Sequence, residues 1–476
     1  MTTLTTPPAA VTTRITSRAM WAILGLVLLA DALDVIDATI TNIAAPTIAG
    51  ELHGGESLIK WLGPAYMLAM GVLLVIGGRL GDKFGQRRLF LLGMGGFTLT
   101  SAVAGFAPGP TLLIIARVAQ GAFGALLIPQ GMAIMTRAFS RDMLGKAFGL
   151  FGPVLGLSSV GGPVLAGFII SADLFGLSWR PIFLLNVVLG GVGLMLAARI
   201  LPRDDGNRST VVDGWGSGLL AVTMFGLLYG LIEGSTNGWS AVPVVAVIVG
   251  VGFFAAFTYR QRTATHPLIL PSLLKKRSFT SGLLVCLVAV AAGSGLLFVL
   301  SLFLQEGLQV SPKEASLGLL PLTLGIVVAA FTAMGGLVAK LGRTLIFVGL
   351  AVELIGCGWV LALVQHFGTS IGLWTLSPAF FVIGVGLSLS FATIPTVALG
   401  EATPEEAGSA SGSFSSIQQL ASAIGSAAIT STYFHAAPAG PDHALKATLI
   451  VILAVTTLTL PLVALMPRQA PAEPGQ

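Results

Sequence analysis

The sequence predicts an all-α integral membrane protein with fourteen spanning helices. Three observations carry the prediction. The 476 residues are 54% hydrophobic and only 9% charged, with a mean hydropathy of +0.91, whereas soluble domains carry about 25% charged residues. Such a chain cannot cover a water-facing surface with polar groups. The apolar residues fall into long runs parted by short segments rich in Gly, Pro, Ser and charge, as turns are. Lys and Arg collect in every second segment.

A spanning helix needs about 20 mostly apolar residues. The runs lie at 19–46, 57–80, 88–107, 110–138, 145–172, 179–201, 214–234, 241–262, 279–306, 312–340, 344–366, 373–399, 407–436 and 444–466. An even number puts both termini on one side. The N-terminal segment, every second loop and the C-terminal segment hold 20 of the 25 Lys and Arg, from Arg14 and Arg18 through Arg79, Lys83, Arg87 and Arg88 to Arg343 and Arg468. The opposite side holds Lys60, Arg180, Lys313 and Lys446, and Arg117 falls inside a span. The basic side is therefore expected to be cytoplasmic, with both termini on it, in a multi-pass cell-membrane protein. One loop on that side, GEATPEEAG at 400–408, has acids and no base. Acids contribute little to orientation, so the assignment stands.

The net charge of +5 is then a topology signal and does not point to nucleic acid. Cys286 and Cys357 both sit in apolar runs, so neither a disulfide framework nor a metal site is expected. The polar start, MTTLTTPPAAVTTRITSRAM, reads as a tail and not as a signal peptide. No nucleotide loop, metal cluster or nucleophile arrangement is visible, so neither an enzyme nor a cofactor is expected.

Two loops repeat. GGRLGDKFGQRR (77–88) follows the second span and GGLVAKLGR (335–343) follows the tenth. Both start with Gly-Gly and end on a base. A repeat at matching loops marks two homologous bundles. The expected organisation is a tail at 1–18, a six-helix bundle at 19–201, an inserted pair of spans with flanking loops at 202–278, a second six-helix bundle at 279–467 and a tail at 468–476.

The most unusual stretch is LLADALDVIDATI at 28–40. At 100° per residue Asp31, Asp34 and Asp37 fall within about 120° of one another, on one helix face, and span about 9 Å. An ionised carboxylate at mid-membrane needs water or a partner, so this face is expected to look into a central cavity, where a carboxyl can bind and release a proton. Arg117 keeps its charge when buried and needs a carboxylate, a carbonyl or water. Gln120 lies one turn along. The alternative for each is a structural role: Asp31 in helix packing, Arg117 in a fixed bridge. Glu353, in the eleventh run, is a further intramembrane acid.

Several stretches resemble the major facilitator superfamily, in particular its fourteen-helix drug:proton antiporter branch. GGRLGDKFGQRR resembles the superfamily's signature loop at Gly78, Gly81, Asp82, Gly85, Arg87 and Arg88. IDATITNIAAPTIA (36–49) is similar to the branch's first-helix motif, with Asp37 as its acid and Pro46 as its proline. ARVAQGAFGALLIP (116–129) is similar to its fourth-helix motif at Arg117, Gln120, Gly121 and Gly124. GGPVLAGFI (161–169) resembles the antiporter motif, with Ala166 where glycine is usual. FLQEGLQVSPKEASLGLLP (303–321) resembles the join of helices 9 and 10.

The resemblance implies a major facilitator fold and proton-coupled export of hydrophobic drugs or antibiotic-like compounds. A dedicated exporter of one metabolite (self-made antibiotic, siderophore or amino acid) is the alternative, and a non-transporting membrane sensor a further one. Asp37, Asp34 and Arg117 are the implied proton-coupling residues. Gly78, Gly81, Asp82, Gly85, Arg87 and Arg88 would gate, with Asp82 pairing to a helix N-terminus and to Arg137 or Arg141. Gly162, Pro163 and Gly167 would let helix 5 bend. Trp61, Tyr66, Gln120, Phe298, Phe391 and Phe414 are expected to line the substrate cavity. Glu353 falls on a helix that the family holds at the periphery. Helix 13 carries no acid, which argues against polycationic substrates. Partners are then a small hydrophobic or amphipathic substrate, protons and the lipid bilayer, and no nucleic acid, with the chain a monomer.

Overall fold

The computed structural model describes residues 17–468 except 140, 209–211, 266, 333–336 and 404–405. The described residues form helices and no strands. In chain order these are α1 Ser17–Glu51, α2 Gly55–Phe84, α3 Gln86–Gly105, α4 Pro110–Ala138, α5 Arg141–Ala172, α6 Pro181–Ile200, α7 Gly214–Asn237, α8 Ala241–Thr263 and the short α9 Pro271–Leu274. They continue with α10 Arg277–Leu302, α11 Pro312–Gly318, α12 Leu320–Thr332, α13 Val338–Leu341, α14 Arg343–Phe367, α15 Ser377–Leu399, α16 Ala407–Ala436 and α17 Pro441–Leu465.

Among the described residues, twelve helical stretches are long and apolar enough to cross a membrane. The chain is thus a multi-pass helical membrane protein. α5 and α16 have comparable lengths, 32 and 30 residues. α16 falls short in hydropathy because its run SASGSFSSIQQLASAIGS is rich in serine. The tenth apolar run is not one helix: α11, α12 and α13 share it, with 333–336 outside the described residues.

Local chemistry sets the ends. Proline opens α4, α6 and α17 at the first turn, where its missing N–H costs nothing. Ser311 and Glu314 form a reciprocal capping box at α11. Asp213 caps α7 by accepting from Gly216 N at 3.0 Å and pairs with Arg260 of α8 at 2.9 Å. That bond ties α8 back to α7, its main neighbour.

α1 packs on α2, α4, α5 and α6, and α3 on α4 and α6. In the second half α10 packs on α15, α16 and α17, and α14 on α15 and α17. Contacts that join the halves include α2 on α16, α5 on α11 and α1 on α10. Ser301 Oγ donates to Asn42 O at 3.1 Å. Ser416 Oγ donates to Gly71 O. A Cβ on Gly167 would lie 2.7 Å from Pro312 O, so α5 and α11 meet backbone to backbone. These contacts lie at mid-helix or toward the side away from the basic loops.

On the basic side, Gly85 is the single residue between α2 and α3, at φ +97°. Asp204, in the segment after α6, accepts from Gln86 N at 2.5 Å and Arg87 N at 3.0 Å. It thus satisfies the open N-terminus of α3. Arg137 reaches the same carboxylate at 4.0 Å. Asn207 N donates to Asp82 O at 2.6 Å. Asp82 itself is exposed. The expected pairing of Asp82 with a helix N-terminus and Arg137 is therefore made by Asp204 instead, because the 203–207 loop folds over the α2–α3 turn. The Arg141 side chain lies outside the described residues. Of the expected glycines, Gly81 packs on Gln130 and Gly85 on Asp204, but Gly78 has room for a Cβ.

The acidic 400–408 loop has its counterions elsewhere in the chain. Lys276 pairs with Glu406 and donates to Glu401 O at 2.8 Å. Glu401 in turn accepts from Ser278 Oγ at 2.8 Å at the start of α10. The hydrogen bond from the Lys276 ammonium holds the Glu406 carboxyl at about 2, below the usual 4.5. A depressed folded-state value means the clasp contributes fully above 4.5 and is lost as pH falls from 4.5 toward 2. Purified Lys276→Met protein should show a smaller drop in melting temperature across that interval than wild type. An equal drop in both would remove the clasp as a source of acid sensitivity.

Candidate functional site

In α4, Arg117, Gln120, Gly121 and Gly124 follow i, i+3, i+4, i+7 spacing, so they share one face. The two glycines let that face sit hard against α2. A Cβ on Gly121 would overlap the Tyr66 carbonyl, and one on Gly124 would lie 3.2 Å from Tyr66 Oη. The approach brings Arg117 under helix α1 and onto the Tyr66 ring, 4.4 Å from its centroid.

Arg117 and Asp37 are both fully buried and form an ion pair. Arg117 Nη1 also donates to Gln120 Oε1 at 2.8 Å, and Nε to Leu62 O at 3.3 Å. The second Asp37 oxygen accepts from Gln120 Nε2 at 2.9 Å and from Asn186 Nδ2 at 2.6 Å. Gln120 Nε2 donates as well to Ser101 Oγ of α3 at 2.8 Å. One carboxylate thus gathers side chains from α4 and α6, with α3 attached through Gln120. Asp34 sits one turn toward the basic side and accepts from the Tyr66 hydroxyl. Its hydrogen-bond partner is neutral where that of Asp37 is cationic. Asp31 is 7% exposed and its Oδ1 has no hydrogen bond among the described residues.

The three aspartates share a face, but that face is not open to water: Asp31, Asp34 and Asp37 are 7%, 8% and 0% exposed. Arg117 and two amides compensate Asp37 in place of solvent, which satisfies the same electrostatic requirement. Asn186 is the member that sequence reasoning missed. Its one signal is a lone amide in the apolar run LLNVVLGG. Ser101 carries even less.

The expected cavity residues separate. Tyr66 and Gln120 belong to the polar network. Trp61 packs on α7, its ring tilted at 6.1 Å from Phe225 and 6.4 Å from Tyr229. Phe298 and Phe414 are 3% exposed inside apolar clusters. Phe391 is half-buried against Gly293 of α10. Gly162 packs on Thr39 and Ile36 of α1, and Gly167 on α11, while Pro163 is half-buried between them. Gly152, Pro153 and Gly156 lie in α5, but their surroundings fall outside what is described. Glu353 is 2% exposed between α14 and α15, with Oε1 making no hydrogen bond among the described residues. Across the middle of the protein α16 shows a polar row: Ser416 bonds to α2, Gln419 Nε2 lies 2.9 Å from Met70 Sδ, and Ser422 bonds Ser294 of α10 at 3.0 Å.

Removing one partner of a buried ion pair costs about 3–5 kcal/mol, because the other charge is left uncompensated. Arg117→Met should therefore destabilise the purified protein by about that amount. Arg117→Met combined with Asp37→Asn should recover much of the loss. Asn186→Ala removes one hydrogen bond to a carboxylate and should cost about 1–3 kcal/mol. Thermal unfolding in detergent reads all three, and strictly additive single and double losses would mean the pair is not coupled.

The sequence of this chain matches the family model described as Major Facilitator Superfamily over residues 27–426. It is 37% identical over 418 residues to the probable actinorhodin transporter of Streptomyces coelicolor, covering 87% of this chain and 72% of that protein. It is 33% identical over 409 residues to a puromycin resistance protein of Streptomyces alboniger, covering 85% and 80%. The fold is similar to that of a POT family transporter solved in complex with 5-aminolevulinic acid, with a TM-score of 0.67 over 94% of this chain and 97% of that one, at 12% identity. At 12% identity that likeness is one of fold, and it is the family match that points to a transporter and not to an enzyme. Twelve membrane-length helices among the described residues, a buried charge network on α1 and α4 and the match over most of its length agree: the chain belongs to the Major Facilitator Superfamily.

Proposed function

We propose that this protein is a proton-coupled exporter of one antibiotic-like metabolite across the cytoplasmic membrane. The observation that carries the coupling is the sealed Asp37–Arg117 pair with Asp34 beside it. A carboxylate that binds a proton on the oxygen facing Arg117 loses its ionic hold on the guanidinium. Arg117 keeps its charge and its bonds to Gln120 and Leu62 O. α1 is then free to shift against α4 and α6. Loss of the proton restores the pair. An inward proton gradient can therefore drive a cycle between two packings of α1, with Asp34 and Asp37 as carriers and Arg117 as the displacing charge.

The narrow cargo is supported by the two relatives above, each named for a single compound. They weigh toward the one-metabolite alternative over export of hydrophobic drugs at large, which is the second reading. Under the proposal the chain belongs to the fourteen-helix drug:proton antiporter branch. α5 and α16 complete fourteen spans, α1–α6 and α10–α17 act as two bundles, α7 and α8 are an inserted pair, and both termini are cytoplasmic. Tyr66, Gln120 and the polar row of α16 border the substrate path, along with Phe391. The 77–88 loop, clasped by Asp204, and Gly162, Pro163 and Gly167 of α5 serve the change of conformation. On this reading, the contacts between the halves toward the non-basic side belong to a state closed to the outside.

Everted membrane vesicles holding an imposed pH gradient test this. A substrate should dissipate the gradient in wild type. Asp37→Asn should abolish the response and Asp34→Asn should reduce it by about tenfold or more. The response should be confined to compounds of one chemotype, whereas a broad response would favour the multidrug reading. Asparagine variants that respond like wild type would rule out both carboxyls as carriers.

A further inference from the structure

Lys60 carries a charge into a place the topology signal does not explain. It lies on the side away from the basic loops, yet its side chain is 0% exposed. Its ammonium donates to Thr236 Oγ1 of α7 at 2.9 Å and lies 3.5 Å from Glu56. It sits 5.1 Å from the centroid of the Phe434 ring of α16. The Thr236 hydroxyl spends its own proton on Ile232 O at 2.8 Å, which turns a lone pair toward the ammonium. Beside it Ser57 Oγ donates to Glu233 Oε1 of α7 at 3.3 Å. The next residue, Trp61, packs against the rings of Phe225 and Tyr229, again of α7.

α2 belongs to the first half of the chain and α16 to the second, and α7 touches both. A buried ammonium is tolerated only while its partners surround it. Here the partners come from all three helices. We propose that Lys60 is the pin of an outer latch, and that α7 is the third member of this latch and not a passive insertion. With α7 and α16 in place the ammonium is compensated and the outer seam stays shut. Parting α2 from α16 breaks the cation–π contact with Phe434, which is strongest while the ammonium is shielded from water. The latch thus opposes opening to the outside and sets how often the substrate path opens there. This rests on the alternating-access reading above.

The test is labelling from outside by a membrane-impermeant maleimide. The reporter is Ser301→Cys, at the contact with Asn42, in a background with Cys286→Ala and Cys357→Ala. Both native thiols are themselves buried. Lys60→Met should speed labelling by about tenfold or more, as should Thr236→Val, which takes away a hydrogen bond to a charged group. Phe434→Leu should act in the same direction. Glu51→Gln breaks an ion pair to Arg180 within the first half and should leave labelling unchanged. Gly167→Leu wedges the α5–α11 contact and should expose the reporter by another route. If Gly167→Leu exposes it while Lys60→Met and Thr236→Val do not, the latch is wrong and alternating access stands. If no variant exposes it, alternating access fails too. Equal acceleration by Glu51→Gln would also overturn the latch. Should Lys60→Met not reach the membrane, Thr236→Val and Phe434→Leu decide alone.

Discussion

The structure depends on keeping one full positive charge inside an apolar slab. Arg117 cannot shed its proton, so the chain must bring it anionic and carbonyl partners wherever it lies. That requirement fixes much of the first half. α1 must present Asp37 at the depth of Arg117. α2 must come close enough for Leu62 O and the Tyr66 ring to cover the guanidinium. α6 must turn Asn186 inward, and α3 must offer Ser101 to Gln120. The glycines of α4 follow from the same demand, since a Cβ at Gly121 would hold α2 away and leave the charge uncovered. The first four helices and α6 are thus arranged around a charge as much as around an apolar core.

Helix meets helix differently in the second half. There close approaches are made by glycine against backbone with no ion pair between. Gly384 faces Leu322 O, Gly386 faces the Glu353 backbone and Gly425 faces Ala291. Without water to drive apolar faces together, small residues and close van der Waals contact hold such helices. One half is built around a paired charge and the other around glycine seams. Under the proposed coupling, a rearrangement that starts at the charge pair reaches the second half through the contacts α2–α16, α1–α10 and α5–α11.

What could be read in the sequence, and what could not, follows from the range of the interactions. The twelve spans found among the described residues were legible because each depends on about 20 consecutive residues. Arg117 and Asp37 were legible because a charge in an apolar run must have a partner, and the list of possible partners is short. Asn186 was not, because an amide in a span is cheap enough to have many explanations. The role of Asp204 was hidden because a loop acid gives no sign of which helix end it will cap. The α3 N-terminus lies more than a hundred residues from it in sequence. Lys60 was assigned by its side of the membrane. Its burial arises from Thr236 and Phe434, on helices that only the folded chain brings to it. The acidic 400–408 loop broke the charge pattern for a similar reason: Lys276, its counterion, sits in another loop.

Stability alone does not account for the Arg117–Asp37 pair. Taking two charges out of water costs several kcal/mol per ion, and replacing a buried pair by apolar side chains of similar volume is often neutral or stabilising by about 1–4 kcal/mol. A helix packing built only to hold together would do as well with Leu and Met at these positions. What an ion pair has and an apolar contact lacks is a response to a proton. Binding one proton changes the charge of the site by one unit at a point where α1, α2, α4 and α6 meet, and no apolar repacking can do that. Asn186 and Gln120 sharpen this. Both donate to the same Asp37 oxygen, so they hold the carboxyl in place whichever state the other oxygen is in. The proton can then alter the hold of Asp37 on Arg117 without releasing Asp37 itself, which is what a reversible switch between two packings requires.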